Sequence, residues 1–264
     1  MADALPATVP WSGDFSYAYL RRLLATARDA CELRLLGDGL PARRGRPTLF
    51  VRHDIDLSLE RALAMADVEA DEGVAATFLV MVDSPLYDLE EATSREVLHR
   101  LRALGHEVGL HLDLGERGER PRRDELLALL DNARRRLEDV MGADVRSVSF
   151  HRPPDALVAL VAGHERLGGL VNAYSGGLMG CYLADSAGRW RHGDPLPAIA
   201  HPAGDVLQLL IHPFWWDDHH VSPSDRLEAF FHARTAGRSP AAVEAFDVAL
   251  ALVVRRARRS GRSA

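Results

Sequence analysis

Lysine is missing from the 264 residues, so all 32 basic side chains are arginine. That absence excludes a Schiff-base lysine, a pyridoxal-phosphate lysine and a Walker-A lysine. Only Cys31 and Cys181 are present, too few for a disulfide framework or a cysteine-rich zinc site. No uninterrupted apolar run approaches the roughly 20 residues that cross a bilayer, so no transmembrane segment is expected. Residues Met1 to Phe15 show no basic region followed by an apolar one, and the expected location is the cytoplasm. Charges of both signs are mixed and sum to -6. With no basic face, a nucleic-acid partner is not expected. The one basic run, Arg255-Arg256-Ala257-Arg258-Arg259, is expected to solvate a helix end. The oligomeric state is not legible. What is plentiful is apolar residues, 47% of the chain, enough for one large α/β domain over residues 1–264.

The stretch Val51-Arg52-His53-Asp54-Ile55-Asp56 organises the rest. It closes an apolar run, Thr48 to Val51, that reads as a buried strand and is followed at once by a helical pattern. A strand thus delivers a histidine and two carboxylates to its C-terminal end, the edge where α/β folds place ligands and chemistry. Alternation predicts Asp54 and Asp56 on one side and His53 on the other. Two converging carboxylates repel unless a cation or proton lies between them. Taken alone, the pair reads equally well as a helix cap with a solvated neighbour.

In chain order, helical periodicity runs over Phe15 to Leu36, with Asp14 as the expected cap. Ser58 caps a helix to Glu72, which Gly73 stops. A strand over Ala76–Val82, a helix from Thr93 or Ser94 to Leu104, a strand over Glu107–Leu112, a helix over Arg122–Met141 and a strand over Val145–Phe150 follow. Shorter strands are expected near Leu170–Ala173 and Leu178–Leu183, and a strong one at Val206–Ile211. Two helices, within about 223–259, close the chain, the second capped by Ser239 with Pro240 at its first position. Alternating strands and helices imply a parallel sheet with right-handed crossovers. The predicted fold is a distorted or incomplete (β/α) barrel of about seven parallel strands.

The polar residues collect at the strand ends: His53, Asp54 and Asp56; His111 and Asp113; His151 and Arg152; His212. Four of the 12 histidines therefore sit at or just past predicted strand ends. A single such histidine is usually a satisfied core residue; four on different strands beside two aspartates point to a site. Imidazole with carboxylate and no thiolate suits one divalent ion, Zn2+ first, with Co2+, Fe2+, Ni2+ or Mn2+ also compatible.

These residues resemble the motifs of the NodB-type polysaccharide deacetylases, carbohydrate esterase family 4, and most closely their divergent WbmS-like branch, linked to surface-polysaccharide synthesis. His53-Asp54-Ile55-Asp56 is similar to the first motif. Gly105 to Leu112 resembles the second, Arg152-Pro153-Pro154 the third, Asp185 with Trp190 the fourth, and Leu209-Leu210-Ile211-His212 the fifth. The resemblance covers roughly residues 48 to 216 in order. It implies a distorted barrel and metal-dependent removal of an N-acetyl group from an amino sugar, a nucleotide-linked sugar or a lipid-linked precursor. It also implies Asp56, His111 and His151 as metal ligands and Asp54 as the base. Arg152 would hold Asp54 ionised, and His212 would be the acid, oriented by Asp185. Trp190, Trp215 or Trp216 would stack on a sugar, with Pro153 also against substrate; core packing is the favoured reading of Trp215 and Trp216.

Three departures accompany the resemblance. The aspartates are separated by Ile55, which leaves open which is base and which is ligand. The family's second metal histidine falls at Gly115, so His151 is the substitute, with His106 and Asp113 as rivals. The aromatic of the third motif is replaced by Asp155. Two other readings stand beside it: a metal-dependent hydrolase of phosphodiesters or cyclic amides, and an inactive sugar-binding protein.

Overall fold

A computed structural model describes residues 13–41, 45–119 and 122–254. Helix α1 (Tyr17–Ala30) leads into β1 (Glu32–Arg34). Strand β2 (Thr48–Ile55), α2 (Leu59–Asp71), β3 (Thr77–Val80), α3 (Ala92–Ala103), β4 (Glu107–Leu112), α4 (Arg123–Met141) and β5 (Ser147–Phe150) then alternate. After α5 (Asp155–Val161) come the short strands β6 (Arg166–Leu167), β7 (Leu170–Asn172) and β8 (Tyr182–Ala184). Helix α6 (Leu196–Ala200), strand β9 (Val206–Ile211) and helices α7 (Pro223–Thr235) and α8 (Pro240–Val254) complete the described chain.

The nine strands form one curled sheet in the order β6-β7-β5-β4-β3-β2-β9-β8, with β1 also paired to β2. Every pairing is parallel except β6 with β7. Among the described residues β6 and β8 are not paired to each other, so the barrel stays open, as expected. The sheet has more strands than the seven expected, because β1 and β6 are too short to leave a periodic signal.

Local chemistry sets the element ends. Ser58 Oγ accepts the Arg61 amide of α2 at 3.2 Å, and Gly73 follows that helix with a φ of +67°. Gly142 ends α4 in the left-handed conformation. Helix α1 differs from its expected span. Its cap is Ser16, whose Oγ accepts from Tyr19 N, and Asp14 instead accepts from Ser16 N. The helix stops at Ala30 because Glu32 to Arg34 finds a ladder beside Thr48 to Phe50, which outcompetes two more helical turns. The expected end of the C-terminal helices near residue 259, and the basic run there, lie outside the described residues.

Alternation divides the sheet into two faces. Leu49, Val51, Ile55, Phe78, Val108, Leu110, Val148, Phe150, Leu209 and Ile211 pack outward into the large core under the helices. The inner face holds a smaller apolar cluster with Phe50, Leu79, Val171 and Leu178. Above that plug, the inward positions turn polar toward the C-terminal strand ends.

Candidate metal and acid-base site

Four strands supply the polar floor through the same period of two. Strand β2 and the residue beyond it contribute Arg52, Asp54 and Asp56. From β4 comes His111, and β5 and its end contribute Ser149 and His151. Strand β9 runs out into His212. The register fixes their heights, with His111 opposite Ser149. Gly109, one inward position below His111, is required: a Cβ there would meet Ser147 Oγ at 2.4 Å and Leu79 Cδ2 at 2.6 Å.

Asp56, His111 and His151 converge. Asp56 Oδ1 lies 3.2 Å from His111 Nε2 and 3.3 Å from His151 Nδ1, and the two ring nitrogens are 3.3 Å apart. One ligand atom from each residue lies within 4.8 Å of the other two. Asp56 Oδ1 is buried, yet no hydrogen bond of good geometry reaches it among the described residues. An oxygen and two imidazole nitrogens aimed at one point, with an orphaned carboxylate oxygen among them, fit a divalent ion. Burial alone would raise the Asp56 carboxyl; the charge of His151, with His111 and His212 close by, takes it well below the ordinary carboxylate range. Burial pushes His151 down, and Asp56 more than offsets this, leaving it raised.

The rivals for the third ligand fall elsewhere. His106 lies behind the sheet, with Nδ1 accepting from Ala76 N and Nε2 against Ala66 O. Asp113 is exposed, and its carboxylate accepts the Gly115 amide. Gly115 opens a short 3-10 turn over Gly115–Glu119. His53 points outward, as alternation predicts, and pairs with the buried Glu69 of α2 at 2.8 Å.

The structure pairs Asp54 with Arg52, a residue not singled out in the sequence. Arg52 Nη2 donates to Asp54 Oδ2 at 3.1 Å, Nη1 donates to Gln208 Oε1, and the guanidinium lies over the rings of Tyr174 and Tyr182. Both side chains are buried, and removing one partner of such a pair costs about 3–5 kcal/mol. Arg152 follows His151 with a φ of +43°, and its charge opposes protonation of that histidine. The signal for Arg52 was available, since it precedes Asp54 by two residues and so shares its face. Ser149, likewise two before His151, was also missed: its Oγ lies 2.6 Å from His111 Nδ1 and 3.3 Å from Asp54 Oδ1.

His212 forms the other wall. Its Nε2 is 3.9 Å from Asp56 Oδ2. Its Nδ1 is 2.7 Å from Oδ1 of the fully buried Asp185, which also accepts the His212 amide and Trp216 Nε1. Burial pushes His212 down, but Asp185, with Asp56 and Asp54 beyond it, raises it to about 9.

The tryptophans do not face the site as sugar platforms. Trp190 is 2% exposed, packed against Phe15 and Trp216. Trp215 is 7% exposed against Phe214, and Trp216 is fully buried. These rings fill the space where α1 meets the end of β9. Pro153 is half-buried at the β5 end. A cavity of about 510 Å³, lined by Arg102, Glu107, Asp144 and Arg146 among others, opens at the opposite, N-terminal end of the strands and takes no part in this cluster.

No protein-family model matches the chain, and no curated protein matches it. Solved structures are similar to it in fold. One is a peptidoglycan deacetylase of Bacillus subtilis, 16% identical, with 83% of this chain and 100% of that chain covered at a TM-score of 0.43. A second is the chitin deacetylase of Colletotrichum lindemuthianum, 15% identical, covering 80% and 93% at 0.45. A third is a pseudoenzyme of carbohydrate esterase family 4 from Bacillus anthracis, 16% identical at 0.43; 76% of this chain matches, and it spans 66% of that one. Among the described residues no helix is long and apolar enough to cross a membrane.

Proposed function

We propose that the protein is a metal-dependent deacetylase that hydrolyses an N-acetyl group on an amino sugar, carried free, on a nucleotide or on a lipid, in surface-polysaccharide metabolism of the WbmS-like kind. The observation that carries this is the convergence of Asp56, His111 and His151 opposite a histidine backed by a buried aspartate. Five motifs in family order, described from the sequence, agree with it.

Asp56, His111 and His151 would hold the ion, for which zinc suits the donor set best. Such an ion, when bound, lowers the pKa of water and polarises the amide carbonyl. The chain's own residues do the rest. Amide hydrolysis adds a water oxygen to the acetyl carbon, with Asp54 taking the proton that the water gives up, breaks the C–N bond and puts a second proton on the departing nitrogen. His212 stands at the cluster with a raised pKa, so it carries that proton at neutral pH. Asp185 holds its ring and supports the imidazolium. Half-buried Pro153, beside His151, is assigned to the substrate wall.

Acetate release from a panel of N-acetylated sugars and nucleotide sugars, with and without chelator, tests the reading. Chelator-sensitive acetate release is the expected result. Purified protein should hold about one divalent ion per chain, and His111→Ala should lose it. Full occupancy in that variant would refute the ligand set, and metal-independent turnover would refute the mechanism.

A further inference from the structure

The backbone holds Asp56 differently from the other two proposed ligands. His111 lies inside β4, in register with Ser149 of β5, and the His151 amide donates to Leu112 O at 2.9 Å. Asp56 stands one residue past the end of β2, whose last pair with β3 is Ile55 with Val80. That ladder stops short of the peptide that carries Asp56.

Tyr87 supplies the next fastening. Its hydroxyl accepts from Met81 N at 2.9 Å and donates to Ile55 O at 2.7 Å. Both directions are fixed by the groups involved, because a backbone amide only donates and a carbonyl oxygen only accepts. Burial raises the phenol above its ordinary value, so its proton stays in place. One side chain thereby ties the C-terminal ends of β2 and β3 together just beyond their last pair. The peptide unit is planar, so a held Ile55 carbonyl also orients the bond to the Asp56 Cα. The Ile55 side chain is itself locked in the large core, 1% exposed.

The loop that presents Tyr87 is anchored in turn. Leu86 and Leu89 on either side of it are buried in the same core. Ser84 Oγ accepts the Leu86 amide at 3.2 Å, and Asp88 Oδ1 accepts the Glu90 amide at 2.8 Å. Tyr87 belongs to the connection between β3 and α3, outside the five motifs.

We infer that Tyr87 is a positioning residue whose hydroxyl clamps the Ile55 carbonyl and so sets where Asp56 meets His111 and His151. The inference rests on the metal reading above and leaves the base role of Asp54 untouched. Tyr87 acts on the ligand through the backbone, as outer partners of metal ligands commonly act through a side chain.

The test is zinc titration of the full chain, read by competition with a chelating dye. Affinity should fall about 10–100-fold in Tyr87→Phe, the loss typical when a partner that orients a metal ligand is removed. A role in folding alone would lower the melting temperature and leave the folded variant with wild-type zinc affinity, and that result overturns the inference. Tyr87→para-aminophenylalanine keeps a donor at the same place and should recover most of the affinity. Equal losses in the two variants also overturn it, since the bond to Ile55 would then be irrelevant. Metal-free wild-type protein gives a check that needs no variant: the Tyr87 hydroxyl proton, held between two backbone groups, should exchange slowly enough to be seen by proton NMR. A freely exchanging hydroxyl overturns the inference. A wild-type chain that takes up no zinc overturns the metal reading instead, whatever the hydroxyl shows.

Discussion

Nδ1 of His212 lies 2.7 Å from Oδ1 of Asp185, a carboxylate with no exposure that also receives the His212 amide and the Trp216 indole. Three donors from one short segment on a single carboxylate fix a ring more firmly than one contact does. They also mark the imidazolium as the favoured state, because its charge is opposed at once by Asp185 and Asp56.

The pH dependence of metal-free protein follows from this pair. His212 is raised from its ordinary 6.5 to about 9. Its contribution to stability is therefore complete below pH about 6.5 and is lost as the pH rises through about 9, a change on the order of 3 kcal/mol. Denaturant unfolding at several pH values should show that decline. In Asp185→Asn the decline should shrink, and the NMR titration of His212 should move back toward 6.5. An unmoved titration would separate the pair.

Trp190 distinguishes core packing from sugar stacking. With 2% exposure and contacts to Phe15 and Trp216, Trp190→Ala should cost about 3–5 kcal/mol of stability. Thermal and denaturant unfolding measure this. A fully stable variant with a raised KM would instead give the ring to the substrate.

Gly109 supports His111 from below. A methyl group there would run into Ser147 Oγ and Leu79 Cδ2, so Gly109→Ala should destabilise the protein by about 1–3 kcal/mol. Because the displaced rung lies directly beneath His111, metal occupancy should fall in the same variant. An unaltered melting temperature together with full occupancy would show that the site does not depend on this close packing.

Much of this protein was legible in its residues. Apolar alternation and helix periodicity, with Ser58, Gly73 and Pro240 as punctuation, determined the alternating strands and helices and therefore a parallel sheet. The histidines and aspartates at strand ends then pointed to one mouth, since parallel strands bring their C-terminal ends together. Period-two alternation also separated outward His53 from inward Asp54 without any structure. Register and burial were decided only in three dimensions. His111 finds Ser149 because β4 and β5 pair at that rung, and nothing local in either segment states the pairing. Arg52 pairs with Asp54 because β2 carries both inward, two residues apart. His106 left the ligand set because its ring turns toward Ala66 and Ala76, and Trp190 left the substrate wall because α1 and the β9 end close over it. Each of these depends on which distant segment fills the neighbouring space, a property of the packed whole and not of any stretch of chain.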